Sequence, residues 1–170
     1  LKELAGRLGS DVAFFIRGGA ALCTGRGEKV QQVDVRRSVH YAIVMSGFHV
    51  STPRVYGQVA SSLTTAENAL KNVLRGLSEG NCRLIGASLF NALEQPACEV
   101  DSRLAEVRQE LAKLPEETQG SGFLLSGSGS SFFSIYPGRR EARAAARYIE
   151  DNLGLRCAPI ESLPEWGATV

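Results

Sequence analysis

From Tyr41 onward the order of elements predicts an α+β fold: a strand, several helices, two strands, a helix and a last strand. This is a βαββαβ plan with extra helices in its first crossover. Three observations carry it. Tyr41-Ala42-Ile43-Val44-Met45 has the length and bulk of a central strand. Leu104, Val107, Leu111 and Leu114 form one apolar helix stripe, with Glu106, Arg108, Glu110 and Lys113 on the other faces. Leu124-Leu125 and Phe132-Phe133 bracket a small-residue loop, Ser126-Gly127-Ser128-Gly129-Ser130-Ser131, as two strands around a turn. The plan implies an antiparallel sheet with helices on one face.

The elements follow in chain order. Leu1, Leu4 and Leu8 recur at a helical period without a preceding cap, so the chain reads as starting inside a longer helix that Gly9 closes. Asp11 then stands alone before the apolar residues Val12 to Phe15, read as a strand. Phe14–Ile16 and the run from Ala20 fit two short strands around a Gly18-Gly19 turn, with Gly25 and Gly27 marking a bulge or second turn. Arg26 and Glu28 read as a surface pair. A polar stretch from Asp34 to Ser38 precedes Tyr41 and suggests a junction, dividing the chain into 1–38 and 39–170.

Thr52-Pro53 has the N-cap and N1-proline arrangement, so a helix is expected to begin there. Helical periods run through Thr65–Gly76, Cys82–Glu94 and Glu99–Leu114, the last stopped by Pro115. Strands at Phe123–Leu125 and Phe132–Tyr136, a helix at Arg139–Leu153 closed by Gly154, and a strand at Arg156–Ile160 complete the chain.

Composition narrows the function classes. The net charge of +1 over 170 residues argues against a nucleic-acid-binding protein, which needs a Lys/Arg surplus gathered on one face. Cys23, Cys82, Cys98 and Cys157 are scattered, with no C-x-x-C pair and no His at ligand spacing, and read as reduced cytosolic thiols. No apolar run approaches membrane-spanning length and no signal-peptide pattern occurs.

Two stretches could carry chemistry. In the Ser126–Ser131 loop, Gly127 and Gly129 leave main-chain N–H groups open to an oxyanion, and the hydroxyls add donors. The same residues also suit a plain hairpin turn. Asp11 suits either a turn cap or a carboxylate fixed at a cleft to orient or deprotonate a hydroxyl. His49, with no second ligand or adjacent nucleophile, reads as a surface residue.

Taken together, Leu8-Gly9-Ser10-Asp11-Val12 with Phe14-Phe15, Gly25-Arg26-Gly27-Glu28, Val50-Ser51-Thr52-Pro53-x-Val55-Tyr56, Asn91-x-Leu93-Glu94 and Leu125-Ser126-Gly127-Ser128-Gly129 occur in one order. This order resembles the C-terminal two thirds of the 4-diphosphocytidyl-2-C-methyl-D-erythritol kinases. They form part of the galactokinase, homoserine kinase, mevalonate kinase and phosphomevalonate kinase (GHMP) superfamily. The resemblance implies a GHMP-kinase-like fold: the end of an N-terminal ribosomal-S5-like domain in 1–38, then a ferredoxin-like C-terminal domain in 39–170.

It also implies an ATP-dependent transfer of phosphate to the 2-hydroxyl of 4-diphosphocytidyl-2-C-methyl-D-erythritol (CDP-methylerythritol), in non-mevalonate isoprenoid biosynthesis, with Mg²⁺. By the resemblance Asp11 is the catalytic carboxylate that accepts the hydroxyl proton. Thr52 and Tyr56 line the substrate pocket, Tyr56 near the cytidine end. Gly127, Ser128 and Gly129 form the superfamily's third motif beside the nucleotide, and Asn91 and Glu94 are structural. The implied setting is cytoplasmic, or plastid in a plant or alga, as a monomer or homodimer without nucleic-acid or membrane partners.

The pattern departs from the family at Ala13, where the family has Pro, and at Ala92, where it has Asp. The family's main ATP loop, its early lysine and its substrate-gripping aromatics are expected upstream of Leu1, so these residues alone are expected to turn over little or no ATP. A sister GHMP kinase acting on mevalonate, homoserine or a sugar shares the Gly-Ser loop. A non-catalytic ferredoxin-like ligand- or RNA-binding module shares the plan, but Phe132, Phe133 and Tyr136 lack the interleaved basic residues that RNA binding wants.

Overall fold

The computed structural model describes residues 12–15, 18–59 and 66–163. The expected helix through Leu8, the Gly9 cap and Asp11 itself fall outside these residues.

Val12–Phe15 (α1) is a helical turn and not the strand expected from its apolar run. The Gly18 N–H donates to the Phe14 carbonyl at 2.9 Å, an i to i−4 bond that closes the turn. Runs this short fit either state, so tertiary context decides. The hairpin consequently lies one step later than expected. Ala21–Thr24 (β1) pairs antiparallel with Lys29–Gln32 (β2) around the Gly25-Arg26-Gly27-Glu28 turn. Gly25 and Gly27 take φ of 73° and 106° there. Glu28 does not pair with the Arg26 side chain; its carboxylate accepts the Arg26 backbone N–H at 2.7 Å. Its own backbone N–H and that of Arg26 hold this carboxyl below the usual range.

The second sheet has the order β4-β5-β3-β6, built from His40–Met45 (β3), Leu124–Leu125 (β4), Phe132–Tyr136 (β5) and Arg156–Glu161 (β6), all antiparallel. This is the ferredoxin-like arrangement. The apolar strand β3 occupies the centre. Side chains alternate across it, so Ala42 and Val44 face one side with Phe132 and Cys157, while Tyr41 faces the other with Ile135.

Helices cover both faces, not one. On the first side, Arg139–Leu153 (α8) packs through Ala142, Ala145, Ala146 and Ile149. These small residues at helical spacing let it sit close to the sheet. Leu104 and Leu111, fully buried, come from Ser102–Ala112 (α6) on the same side. Burying a side chain of this size contributes about 1.5–3 kcal/mol. On the opposite side, Val73 and Leu77 of Glu67–Glu79 (α3) and Ile85 of Cys82–Ala87 (α4) cluster with Val39, Tyr41, Phe133 and Ile135. Two helices in the first crossover carry enough apolar surface to need the second face.

Two helical runs are broken where the sequence reads as continuous. The run through Cys82 and Glu94 ends at Ala87 and restarts as Glu94–Val100 (α5), leaving Asn91 in the connection. The run from Glu99 breaks at Asp101, whose carboxylate accepts the Arg103 N–H at 3.1 Å and caps α6. Pro115 ends α6 as expected and leads into Glu116–Gln119 (α7). Gly154 closes α8 in the left-handed conformation, φ 65°.

Between α7 and β4, Gly120 bends at φ 59°, and Ser121 exchanges backbone N–H and hydroxyl bonds with Ser134 and Ile135 of β5. Cys157 is buried, Cys82 and Cys98 half-buried and Cys23 exposed, all free thiols. Among the described residues no helix is long and apolar enough to cross a membrane.

Candidate functional site

Val44 of β3 stands opposite Phe132 of β5, so the chain leaving β3 and the loop entering β5 emerge at one end of the sheet. The exit segment Ser46–Val50 leads into Thr52–Gln58 (α2), and the entry segment is the Gly-Ser loop. Sheet register therefore brings two stretches of unrelated sequence side by side.

The loop is a closed turn. The Ser126 N–H donates to the Ser131 carbonyl at 2.8 Å, and the Gly129 N–H to the Ser126 carbonyl at 3.0 Å. Gly127 and Gly129 have φ of 57° and 96°, the region that favours glycine. Nothing lies within 4 Å of where a Gly127 side chain would start, and among the described residues the Gly127 and Ser128 N–H groups have no partner. Unpartnered loop amides of this kind suit an oxyanion.

Five hydrogen bonds fix the loop and the strand end that enters it. Ser46 donates its hydroxyl to the Ser130 carbonyl, and Ser130 donates its own to the Phe48 carbonyl. The Asn91 carboxamide donates at 2.8 Å to both the Leu125 and Gly127 carbonyls. Glu94 accepts the Leu125 N–H at 2.9 Å. The role expected of Asn91 and Glu94, holding structure, is thus exerted on the loop itself. Their signal in sequence is the Asn91-x-Leu93-Glu94 stretch of the resemblance, not the helical period, which runs through the break; Ser46 and Phe48 carry none.

The substrate-side residues lie next to this loop. Thr52 Oγ1 and Ser128 Oγ are hydrogen-bonded at 2.8 Å. The structure makes Ser51 the N-cap of α2, with Thr52 its first residue, so the helix starts one position earlier than the sequence suggests. Freed from capping, the Thr52 hydroxyl is available to the loop. Tyr56 follows one turn later on the same face, 59% exposed. His49 is exposed, as expected.

A cation borders the cluster. The Arg103 guanidinium lies 4.2 Å from the Phe48 ring centroid and donates to both Asp101 carboxylate oxygens, at 2.9 and 2.6 Å. That contact holds the Asp101 carboxyl below its usual range. Gly129 sits over Leu104 and Leu125, so the loop rests on the core. Amides, hydroxyls, an arginine and an exposed aromatic ring are chemically suited to an anionic ligand with a planar group.

Thr52, Ser128 and, through α2, Tyr56 are therefore brought together with Gly127 and Gly129. Asp11 lies outside the described residues. Two cavities of about 370 Å³ open elsewhere, one lined by residues including Cys82, Arg83 and Ser121, the other by Glu94, Cys98 and Arg108. Neither is lined by the loop. Among the described residues no group of three or more His, Cys, Asp or Glu converges on a metal position.

No protein-family model matches the chain. It is 34% identical over 149 residues to the 4-diphosphocytidyl-2-C-methyl-D-erythritol kinase of Pelotomaculum thermopropionicum, an alignment covering 87% of this chain and 50% of that protein. A crystal structure of 4-(cytidine 5'-diphospho)-2C-methyl-D-erythritol kinase superposes with a TM-score of 0.71 at 29% identity, covering 94% of this chain and 56% of the other. The homoserine kinase of Cytophaga hutchinsonii shares the fold, with a TM-score of 0.69 at 17% identity over 91% of this chain and 51% of its own. The chain spans about half the length of the curated relatives it matches. Its fold is the α+β GHMP-kinase-like fold.

Proposed function

On the premise that the chain is similar over most of its length to 4-diphosphocytidyl-2-C-methyl-D-erythritol kinases and has the GHMP-kinase-like fold, we propose that it supplies residues of such a kinase. The reaction is ATP-dependent phosphorylation of the 2-hydroxyl of CDP-methylerythritol in isoprenoid biosynthesis. The observation that carries this reading is the 2.8 Å hydroxyl pair Thr52–Ser128. It ties the stretch that marks the cytidine-substrate kinases to the loop shared across the superfamily. A turn of purely local purpose would not need that neighbour.

In this reading Gly127 and Ser128 offer their amides to a phosphate oxygen, and Thr52 and Tyr56 hold the substrate, the Tyr56 ring packing near cytosine. Asp11 accepts the proton of the attacking hydroxyl late in the transfer or orients that hydroxyl. Positioning and charge neutralisation suffice for phosphoryl transfer, which asks little covalent chemistry of the protein. ATP supplies the transferred group. A Mg²⁺ ion, if bound, would neutralise charge on the ATP phosphates. Residues 1–38 belong in this reading to the N-terminal kinase domain and 39–170 to the C-terminal one, in a cytoplasmic enzyme.

The test is phosphorylation of CDP-methylerythritol by the intact protein with ATP, set against mevalonate, homoserine and galactose as competing acceptors. Transfer to the cytidine substrate alone is expected. Preference for another alcohol would move the assignment to a sister kinase, and transfer to none of them would refute the kinase reading.

A further inference from the structure

We infer that Asn91 and Glu94 are positioning residues that set the Gly-Ser loop in its anion-accepting shape, a proposal that rests on the kinase reading for its effect on turnover. The two side chains grip opposite bonding groups at the start of the loop. Asn91 Nδ2 donates at 2.8 Å to the carbonyls of Leu125 and Gly127, which brackets Ser126. Glu94 Oε2 accepts the Leu125 N–H at 2.9 Å. Leu125 is thus held by both its backbone groups.

With its carbonyl tied back to Asn91, the Gly127 peptide unit is fixed, and the amide of Ser128 on that same unit must point the opposite way. That amide has no partner among the described residues. The clasp therefore selects the direction of a donor without touching a ligand.

The clasp is itself held. Asn91 Oδ1 accepts the Leu93 N–H at 2.9 Å, which fixes the amide so that its NH₂ faces the loop. Arg108 Nε donates to Glu94 Oε1 at 2.5 Å, and the Glu94 side chain is only 12% exposed. Arg108 orients the carboxylate from the next helix, so the loop, α5 and α6 form one connected unit. A local turn leading into α5 requires only the Leu93 bond; the two bonds that reach 34 and 36 positions along the chain go beyond it.

Asn91→Asp separates the two roles in the intact protein. It keeps the acceptor for Leu93 but replaces two donors by an oxygen facing two carbonyls. The expected result is at least a tenfold rise in the KM for ATP at neutral pH, with kcat less affected. The variant-to-wild-type ratio should recover as pH falls towards 5, where the new carboxyl takes up a proton and can donate again. Glu94→Gln, which keeps an acceptor, should change KM less than Glu94→Ala.

Amide hydrogen exchange over residues 126–131 is measured on the same samples, and should quicken in Asn91→Asp while the α8 amides stay protected. Unchanged KM and unchanged loop exchange in a folded Asn91→Asp protein would overturn the inference. If the wild-type protein does not phosphorylate CDP-methylerythritol, the kinase reading fails, and loop exchange alone decides the clasp.

Discussion

The Thr52–Ser128 contact can be weighed by a double-mutant cycle in the intact protein. Both hydroxyls are at the surface, and their oxygens stand 2.8 Å apart. A neutral hydrogen bond contributes about 0.5–1.5 kcal/mol net, and exposure to competing water places this one in the lower half, about 0.5–1 kcal/mol. If the bond holds α2 against the loop in the productive arrangement, Thr52→Val and Ser128→Ala should each lower kcat/KM for CDP-methylerythritol by about 2- to 5-fold from its loss. The double variant should then be scarcely worse than either, giving a coupling of about 0.5–1 kcal/mol. Thr52→Ser retains the hydroxyl and should stay within about twofold of wild type. Steady-state kinetics of the four proteins at saturating ATP give the coupling directly. Strictly multiplicative losses, with coupling below about 0.3 kcal/mol, would show that the two hydroxyls act independently and that their proximity carries no functional weight.

Three further outcomes are expected. Asp11→Asn should cut kcat by about 10²–10⁴-fold with ATP affinity within a few-fold, read by turnover and nucleotide titration, and undiminished turnover removes the catalytic role. Gly120→Ala should destabilise the protein by about 2–4 kcal/mol, combining left-handed strain with overpacking. Its new Cβ would lie 2.6 Å from the Ile135 carbonyl oxygen and 2.8 Å from Ser134 Oγ at φ 59°. Gly154→Ala, with φ 65° and nothing within 4 Å, should cost only about 1 kcal/mol, so equal urea midpoints for the two variants would contradict the packing argument. Burial, and secondarily the Glu150 charge, push the Cys157 thiol from 9.0 up to about 12. A raised value favours the protonated thiol in the folded state, so this contribution to stability is full below pH 9 and is lost as pH rises through about 12. Cys157→Ala should flatten that alkaline decline, and an unchanged slope would count against it.

Legibility in the sequence followed the range of the interactions. The apolar run of β3, the helix from Arg139 to Leu153 with its Gly154 stop, and the Gly-Ser loop were all readable, because hydrophobic period and glycine placement are local signals. Breaks set from a distance were not. The helical period through Ser88 and Asn91 continues on paper, but Asn91 is drawn out of the helix by carbonyls 34 and 36 positions later. Thr52 looked like a cap because Thr before Pro usually is one, and its hydroxyl is instead engaged 76 positions away. Val12–Phe15 reads as a strand and folds as a helical turn, because four apolar residues do not distinguish the two. The covering of both sheet faces was hidden for a related reason: periodicity shows that a helix has an apolar side but not which side of the sheet receives it.

The placing of β3 at the centre of the sheet has a consequence for synthesis. Both of its neighbours are made much later, and the bond from the Val39 N–H to the Ser162 hydroxyl, just beyond the end of β6, spans 123 positions. At roughly 5–20 residues per second, a ribosome needs about 6–25 s to deliver that partner. Until β5 is made both edges of Tyr-Ala-Ile-Val-Met are unsatisfied, and until β6 is made one still is, the circumstance in which nascent chains associate with one another or recruit a chaperone.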